Sequence, residues 1–194
     1  MTDAATDGRV ARGRRTRAAI VAAFLDLLTE GAPRPTAKEI ADRAGVSVRS
    51  IFQHFEDLEA LRTDVVRMQG ERIRPMIGEL DDTGPLDARI AALVVQRVRL
   101  YEHIAPLRRS VAGIERTGAV RAGIDEMHAR LRRQLSAQFA AELKAMPRPQ
   151  STAVLSAADA LTSFEAWDQL RSIQGLTPDG SERILRVALA RLLS

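Results

Sequence analysis

The sequence contains no cysteine. That excludes a disulfide scaffold, a thiol nucleophile and any Cys-ligated zinc or iron–sulfur site, and it fits a reducing compartment. Aromatic residues are scarce, with five Phe, one Tyr and one Trp. The histidines are His54, His103 and His128. No pair of them has metal-ligand spacing, and Glu126 falls on a different helix face from His128, so no metal is expected. Long apolar runs are missing too. The longest, Ala18 to Leu25, has eight residues, far short of the roughly 20 that a membrane span requires. No apolar leader segment follows the N-terminal arginines, so no signal peptide is expected. Ser/His/Asp groupings, paired carboxylates and Gly-rich phosphate loops are absent. The reading is therefore no enzyme, no catalytic residue and no cofactor.

What is present suits a buried core: 194 residues, of which 45% are apolar. The net charge is +4, and its placement says more than its size. Residues 1–55 carry nine basic and six acidic side chains, whereas 56–194 carry 20 and 19. Arg9, Arg12, Arg14, Arg15 and Arg17 crowd into nine positions. A basic arm before a folded module is a common phosphate-binding device. The plain alternative is a coding bias, since 27 of the 29 basic residues are arginine.

Residues 1–13 are polar and aperiodic, and are expected to be disordered. A helix is expected from Thr16, with Ile20, Ala23, Phe24, Leu27 and Leu28 on one face. Gly31, Pro33 and Pro35 end it. Thr36 and Glu39 form a capping box for a helix over 37–44. Gly45 breaks that helix, and Ser47 caps another over 48–54. Further helices are expected near 57–73, 86–103, 119–145, 151–174 and 182–193, with a short one between Pro106 and Gly113. Ser181 is expected to cap the last. No segment alternates with period two and no repeat is found. The expected class is all-α, with about nine helices.

Two short helices joined by a Gly-containing turn, at 36–55, make a helix-turn-helix unit, whose second helix fits a major groove. Ile40, Ala44, Val46, Ile51 and Phe55 would lock the pair. Val48, Arg49, Phe52 and Gln53 would then face outward, flanked by Ser50 and His54. That face offers a guanidinium for guanine, an amide for adenine and apolar groups for a thymine methyl. An ordinary helical hairpin would not expose Val48 and Phe52.

The run from Arg15 to Leu61 resembles the N-terminal DNA-binding region of the TetR family of bacterial transcription regulators. The matching positions are Gly31, Thr36, Ile40, Ala41, Ala44, Gly45, Val46, Ser47, Phe52, His54, Phe55, Glu59 and Leu61. The resemblance implies a basic arm at 1–13 and a three-helix DNA-binding domain at 14–60. A helical domain for ligand binding and dimerisation would follow at 61–194. It implies DNA contacts from Arg14, Arg15, Thr36, Lys38, Ser47, Val48, Arg49, Ser50, Phe52, Gln53 and His54. Phe52 stands where the family usually has Tyr, and Leu58 where it usually has Lys. Two phosphate contacts are thereby missing, and the arginine arm or Arg49 is expected to replace them.

The resemblance further implies a cytoplasmic bacterial repressor. It would bind a palindromic operator as a homodimer and be released by a small apolar or amphipathic effector. Met68, Tyr101, His103, Met127, Phe139, Phe164 and Trp167 are candidate pocket residues, although any one of them also suits plain core. Leu155, Ala158, Leu161, Ile184, Ala188 and Leu192, on the last two helices, are candidate dimer contacts. Three other readings compete: a constitutive or architectural DNA binder without effector, a small helical enzyme, and a helical adaptor that binds only protein.

Overall fold

The computed structural model describes residues 3–32, 34–111 and 118–194. Among these residues the chain forms ten α-helices and no strand. They are α1 (Asp3–Thr29), α2 (Ala37–Ala44), α3 (Val48–His54), α4 (Leu58–Ile73) and α5 (Leu86–Val111). Next come α6 (Gly118–Gln138), α7 (Ala140–Ala145), α8 (Arg148–Leu161), α9 (Phe164–Asp168) and α10 (Pro178–Leu193). The all-α expectation holds.

Contacts divide the chain into two units. The first comprises Met1–Glu71 with Pro106–Gly123, and the second Arg72–Ala105 with Ile124–Ser194. The first unit thus takes in residues on both sides of the boundary expected between 60 and 61. The physical reason lies in α4, whose Leu61 and Val65 are buried and whose Asp64 is ion-paired to Arg17 of α1. In the first unit, Ile20, Val21, Phe24 and Leu28 of α1 supply the buried side chains against which α2 and α3 pack. In the second unit one cluster runs through Ile90, Leu93, Val94, Tyr101, Leu135, Phe139, Trp167, Leu185 and Leu189.

Several helix limits differ from those expected, each for a physical reason. The first helix begins at Asp3, so the disordered arm over 1–13 is corrected from Asp3 onward. Arginine fills five of the nine positions 9–17 and favours helix, which outweighs Gly8 and Gly13. Thr16, the expected start of the helix, lies inside it, and its hydroxyl donates to the Arg12 carbonyl. Pro106 lies inside α5 and does not begin a new helix. Buried Tyr101, Ile104, Ala105 and Leu107 pack on both sides of it, and that packing overrides the lost backbone bond. The segment 112–117, which holds Gly113, lies outside the described residues.

The helix expected over 119–145 breaks at Phe139. There Arg89 Nη1 donates to the Gln138 carbonyl at 2.7 Å, a partner from 49 residues away. The helix expected over 151–174 breaks after Leu161. Tyr101 donates its hydroxyl to the Thr162 carbonyl at 2.6 Å, and Ser163 caps α9 by accepting from the Ala166 amide. The last helix is capped by Thr177, which accepts from the Gly180 amide. Ser181, the expected cap, is buried one turn further on.

Candidate nucleic-acid interface

The reading unit is built from local chemistry. Thr36 accepts the Glu39 amide at 3.3 Å, while the Glu39 carboxylate accepts the Thr36 amide at 2.8 Å, closing the capping box of α2. Those Thr36 bonds hold the Glu39 carboxyl below the usual range. Gly45 ends α2 at φ +67°, a left-handed conformation that only glycine adopts without strain. The chain thereby reverses, and Ser47 starts α3 by accepting the Ser50 amide at 3.1 Å. Arg43 at the end of α2 forms a forked pair with Glu30 beyond α1, at 2.6 and 2.5 Å.

Ile40, Ala41, Ile51 and Phe55 are buried between the helices. Ala44 and Val46 are only half-buried. This leaves Val48 at 39% and Phe52 at 49% exposure, large apolar groups turned outward beside exposed Arg49 and Gln53. Ser50 and His54 are half-buried on the flanks. Thr36, Lys38 and Ser47 are exposed near the starts of α2 and α3. Lys38 is engaged in an i,i+4 pair with Asp42 at 2.9 Å, a bond that raises its pKa. Leu58, in the place of a cation, is half-buried at the start of α4.

Of the arm, Arg12, Arg14 and Arg15 are exposed on α1. The Arg9 side chain lies outside the described residues. Arg17 departs from the expectation for the arm. It is bonded to Asp64 and to the His54 carbonyl, an arrangement that sequence spacing alone does not reveal.

The candidate pocket residues divide. Tyr101, Phe164 and Trp167 come together with ring centroids 5.4–5.8 Å apart. Phe139 shares their buried cluster and Met127 packs against it. His103 is exposed, and Met68 is half-buried in the first unit. The dimer candidates divide likewise. Ala158 is buried within the protomer, in the cluster that also holds Leu185 and Leu189 of α10. Leu155, Leu161, Ala188 and Leu192 are half-buried, and Ile184 is exposed. Val187 and Ile173, unremarked in the sequence, are 60% and 73% exposed. No group of His, Asp or Glu among the described residues is placed to hold a metal. No described helix is long and apolar enough to cross a membrane.

A capped two-helix reader with an outward face of Arg, Gln and apolar groups defines a helix-turn-helix protein. Residues 20–65 match the model of the family described as bacterial regulatory proteins, tetR family. A crystal structure of a tetR-family transcriptional regulator from Streptomyces coelicolor shares the fold, with a TM-score of 0.72. The two are 18% identical over 92% of this chain and 80% of that one. No curated protein matches. The family match thus covers the helix-turn-helix and its flanking helices, and the likeness to the solved structure shows the fold. The N-terminal match supports a DNA-binding transcription regulator.

Proposed function

We propose that the protein is a repressor that binds a two-fold symmetric operator as a homodimer and leaves it when a small apolar or amphipathic molecule occupies the second unit. The observation that carries the DNA half is the outward face of α3, where Val48 and Phe52 are exposed beside Arg49 and Gln53. Hydrophobic side chains on such a helix have a partner in thymine methyl groups, and Arg49 has one in guanine. The dimer is supported by the exposed apolar side chains Ile173, Ile184 and Val187 of the C-terminal segment. Tyr101, Met127, Phe139, Phe164 and Trp167 are the effector candidates that share one cluster. An effector acts only through its differential affinity for the DNA-competent and released states.

Selection of duplexes from a randomised library by the purified protein tests the reading. A symmetric consensus with two half-sites one helical turn apart, or a multiple of it, is the expected result. Arg49→Ala should then cost about 1–3 kcal/mol and relax one position of each half-site. Equal weakening on every duplex would make Arg49 a phosphate contact. Recovery of no preferred sequence would favour an architectural binder, and no DNA retention at all would favour a protein adaptor.

A further inference from the structure

We infer that Arg17 is a positioning residue for DNA reading: by joining α1 to both the end of α3 and the middle of α4, it sets the angle of the recognition helix and does not itself grip a phosphate. The inference rests on the DNA-binding reading above. It is carried by a set of contacts around one guanidinium. Arg17 Nε donates to Asp64 Oδ2 at 2.9 Å. Its Nη1 donates to the His54 carbonyl at 3.2 Å. Its guanidinium carbon lies 4.5 Å from the centre of the Phe55 ring.

Each contact falls where α3 most needs support. That helix has only seven residues, and the last carbonyls of any helix lack an intrahelical partner. His54 is its last residue, and Arg17 supplies a partner for that carbonyl. Phe55 then leaves the helix in an extended conformation, at φ −138° and ψ 133°, with its ring buried. The guanidinium lies over that ring, so the exit of the chain is held from one side by stacking. Gly13, one turn before Arg17, passes so near that a Cβ there would meet the His54 ring at 3.9 Å. α1 therefore runs alongside the end of the reader.

Asp64 is the other half of the clamp. Its carboxylate is largely buried and also accepts from Arg67 Nη2 at 2.8 Å. Burial pushes the carboxyl up, but the bonds from Arg17 and Arg67 prevail and hold it below the usual range. A charged, doubly bonded acceptor on α4 thus fixes a fork whose opposite prong holds α3. Planar, multi-donor geometry is what arginine provides and lysine does not. Arg14 and Arg15, by contrast, are exposed on α1 and bear none of these ties.

The clamp and simple charge attraction make opposite predictions. Asp64→Asn removes a negative charge from a DNA-binding unit. Attraction to phosphate alone would then tighten binding, whereas loss of the clamp weakens it. The experiment measures the affinity of the full chain for a duplex selected by the wild type, across a series of salt concentrations. Thermal unfolding of each variant is followed in parallel to confirm that it is folded. Arg17→Ala, Arg17→Lys and Asp64→Asn are each expected to weaken binding by about five-fold or more, the lower end of typical couplings between sites. The slope of log affinity against log salt should stay unchanged in all three. Arg67→Ala removes the same charge as Arg17→Ala but leaves the His54 tie, and should weaken binding less. The inference is overturned if Asp64→Asn binds as tightly as the wild type or tighter. It is equally overturned if Arg17→Lys retains wild-type affinity, or if Arg17→Ala flattens the salt slope by about 0.9 per subunit, the mark of one lost phosphate contact. Should Arg17→Ala fail to fold, the milder lysine and asparagine variants still decide. A wild type that retains no duplex would sink the DNA reading itself; a binding wild type with a tightened Asp64→Asn sinks the clamp alone.

Discussion

The Tyr101 hydroxyl donates to the Thr162 carbonyl at 2.6 Å, joining residues 61 positions apart inside the second unit. The bond ends α8 and leaves Ser163 free to begin α9. Its phenol ring also stands edge-on to Phe164, at 84°. Tyr101→Phe keeps the ring and removes the donor. The Thr162 carbonyl would lose this partner, which costs about 1–3 kcal/mol for a buried acceptor. Urea unfolding should show this loss with an unchanged slope. An unchanged midpoint would mean that water or another donor takes over.

The contrast between the two units explains what the sequence makes legible. The bounds of α2 and α3 follow from signals that act within four residues: the Thr36–Glu39 box, Gly45 and Ser47. All three are where the spacing predicts them. The breaks at Phe139 and Thr162 are not predictable this way. Each arises because a donor from a distant helix, Arg89 or Tyr101, takes a backbone carbonyl. Apolar periodicity continues across both breaks, so it predicts one long helix each time. The outward face of α3 was legible for the same local reason as its ends. The use of Arg17 was not, since its partners His54 and Asp64 lie 37 and 47 residues away.

Acid should weaken the fold through two carboxylates. Burial raises the Asp64 carboxyl, yet bonds from Arg17 and Arg67 lower it overall. Bonding to Arg89 lowers Glu142. A carboxyl depressed in the folded state stabilises above its unfolded value, and that contribution is lost as pH falls through the folded value. Unfolded values are about 3.9 for Asp and 4.3 for Glu. Urea midpoints should therefore hold level, as far as these two groups go, from neutral pH to about 5 and fall below about 4. Asp64→Asn should be less stable at neutral pH and show a shallower acid limb. An equally steep limb in that variant would assign acid sensitivity to other groups.

The proposed seam can be separated from the protomer core by position. Val187 and Ile184 are exposed, so aspartate there leaves the isolated protomer's packing intact. In a dimer it would place a charge in an apolar interface, which is strongly unfavourable without a partner. Ile184→Asp with Val187→Asp should sediment as a folded monomer. Ala158→Asp should instead lower thermal stability, because that side chain is buried within the protomer. A double Ile184/Val187 variant that remains dimeric would move the interface elsewhere.

Arg14 and Arg15 should supply the phosphate contacts that Phe52 and Leu58 cannot. Phe52 has no hydroxyl and Leu58 no charge, while both arginines are exposed on α1. They are carried on a helix from Asp3, so their reach is fixed by that helix and not by a loose arm. Phosphate contacts position a protein without reading sequence. Each phosphate neutralised contributes about −0.9 to the slope of log affinity against log salt. If both arginines engage in both subunits of the proposed dimer, four contacts are lost in Arg14→Ala/Arg15→Ala. The slope should then flatten by about 3.6 units, with the selected consensus unchanged. Alanine favours helix, so α1 is retained and the change reports charge and not unfolding. A slope equal to that of the wild type would show that both side chains stay in solvent when the protein is bound. A lost consensus would show instead that one of them enters a groove and reads bases.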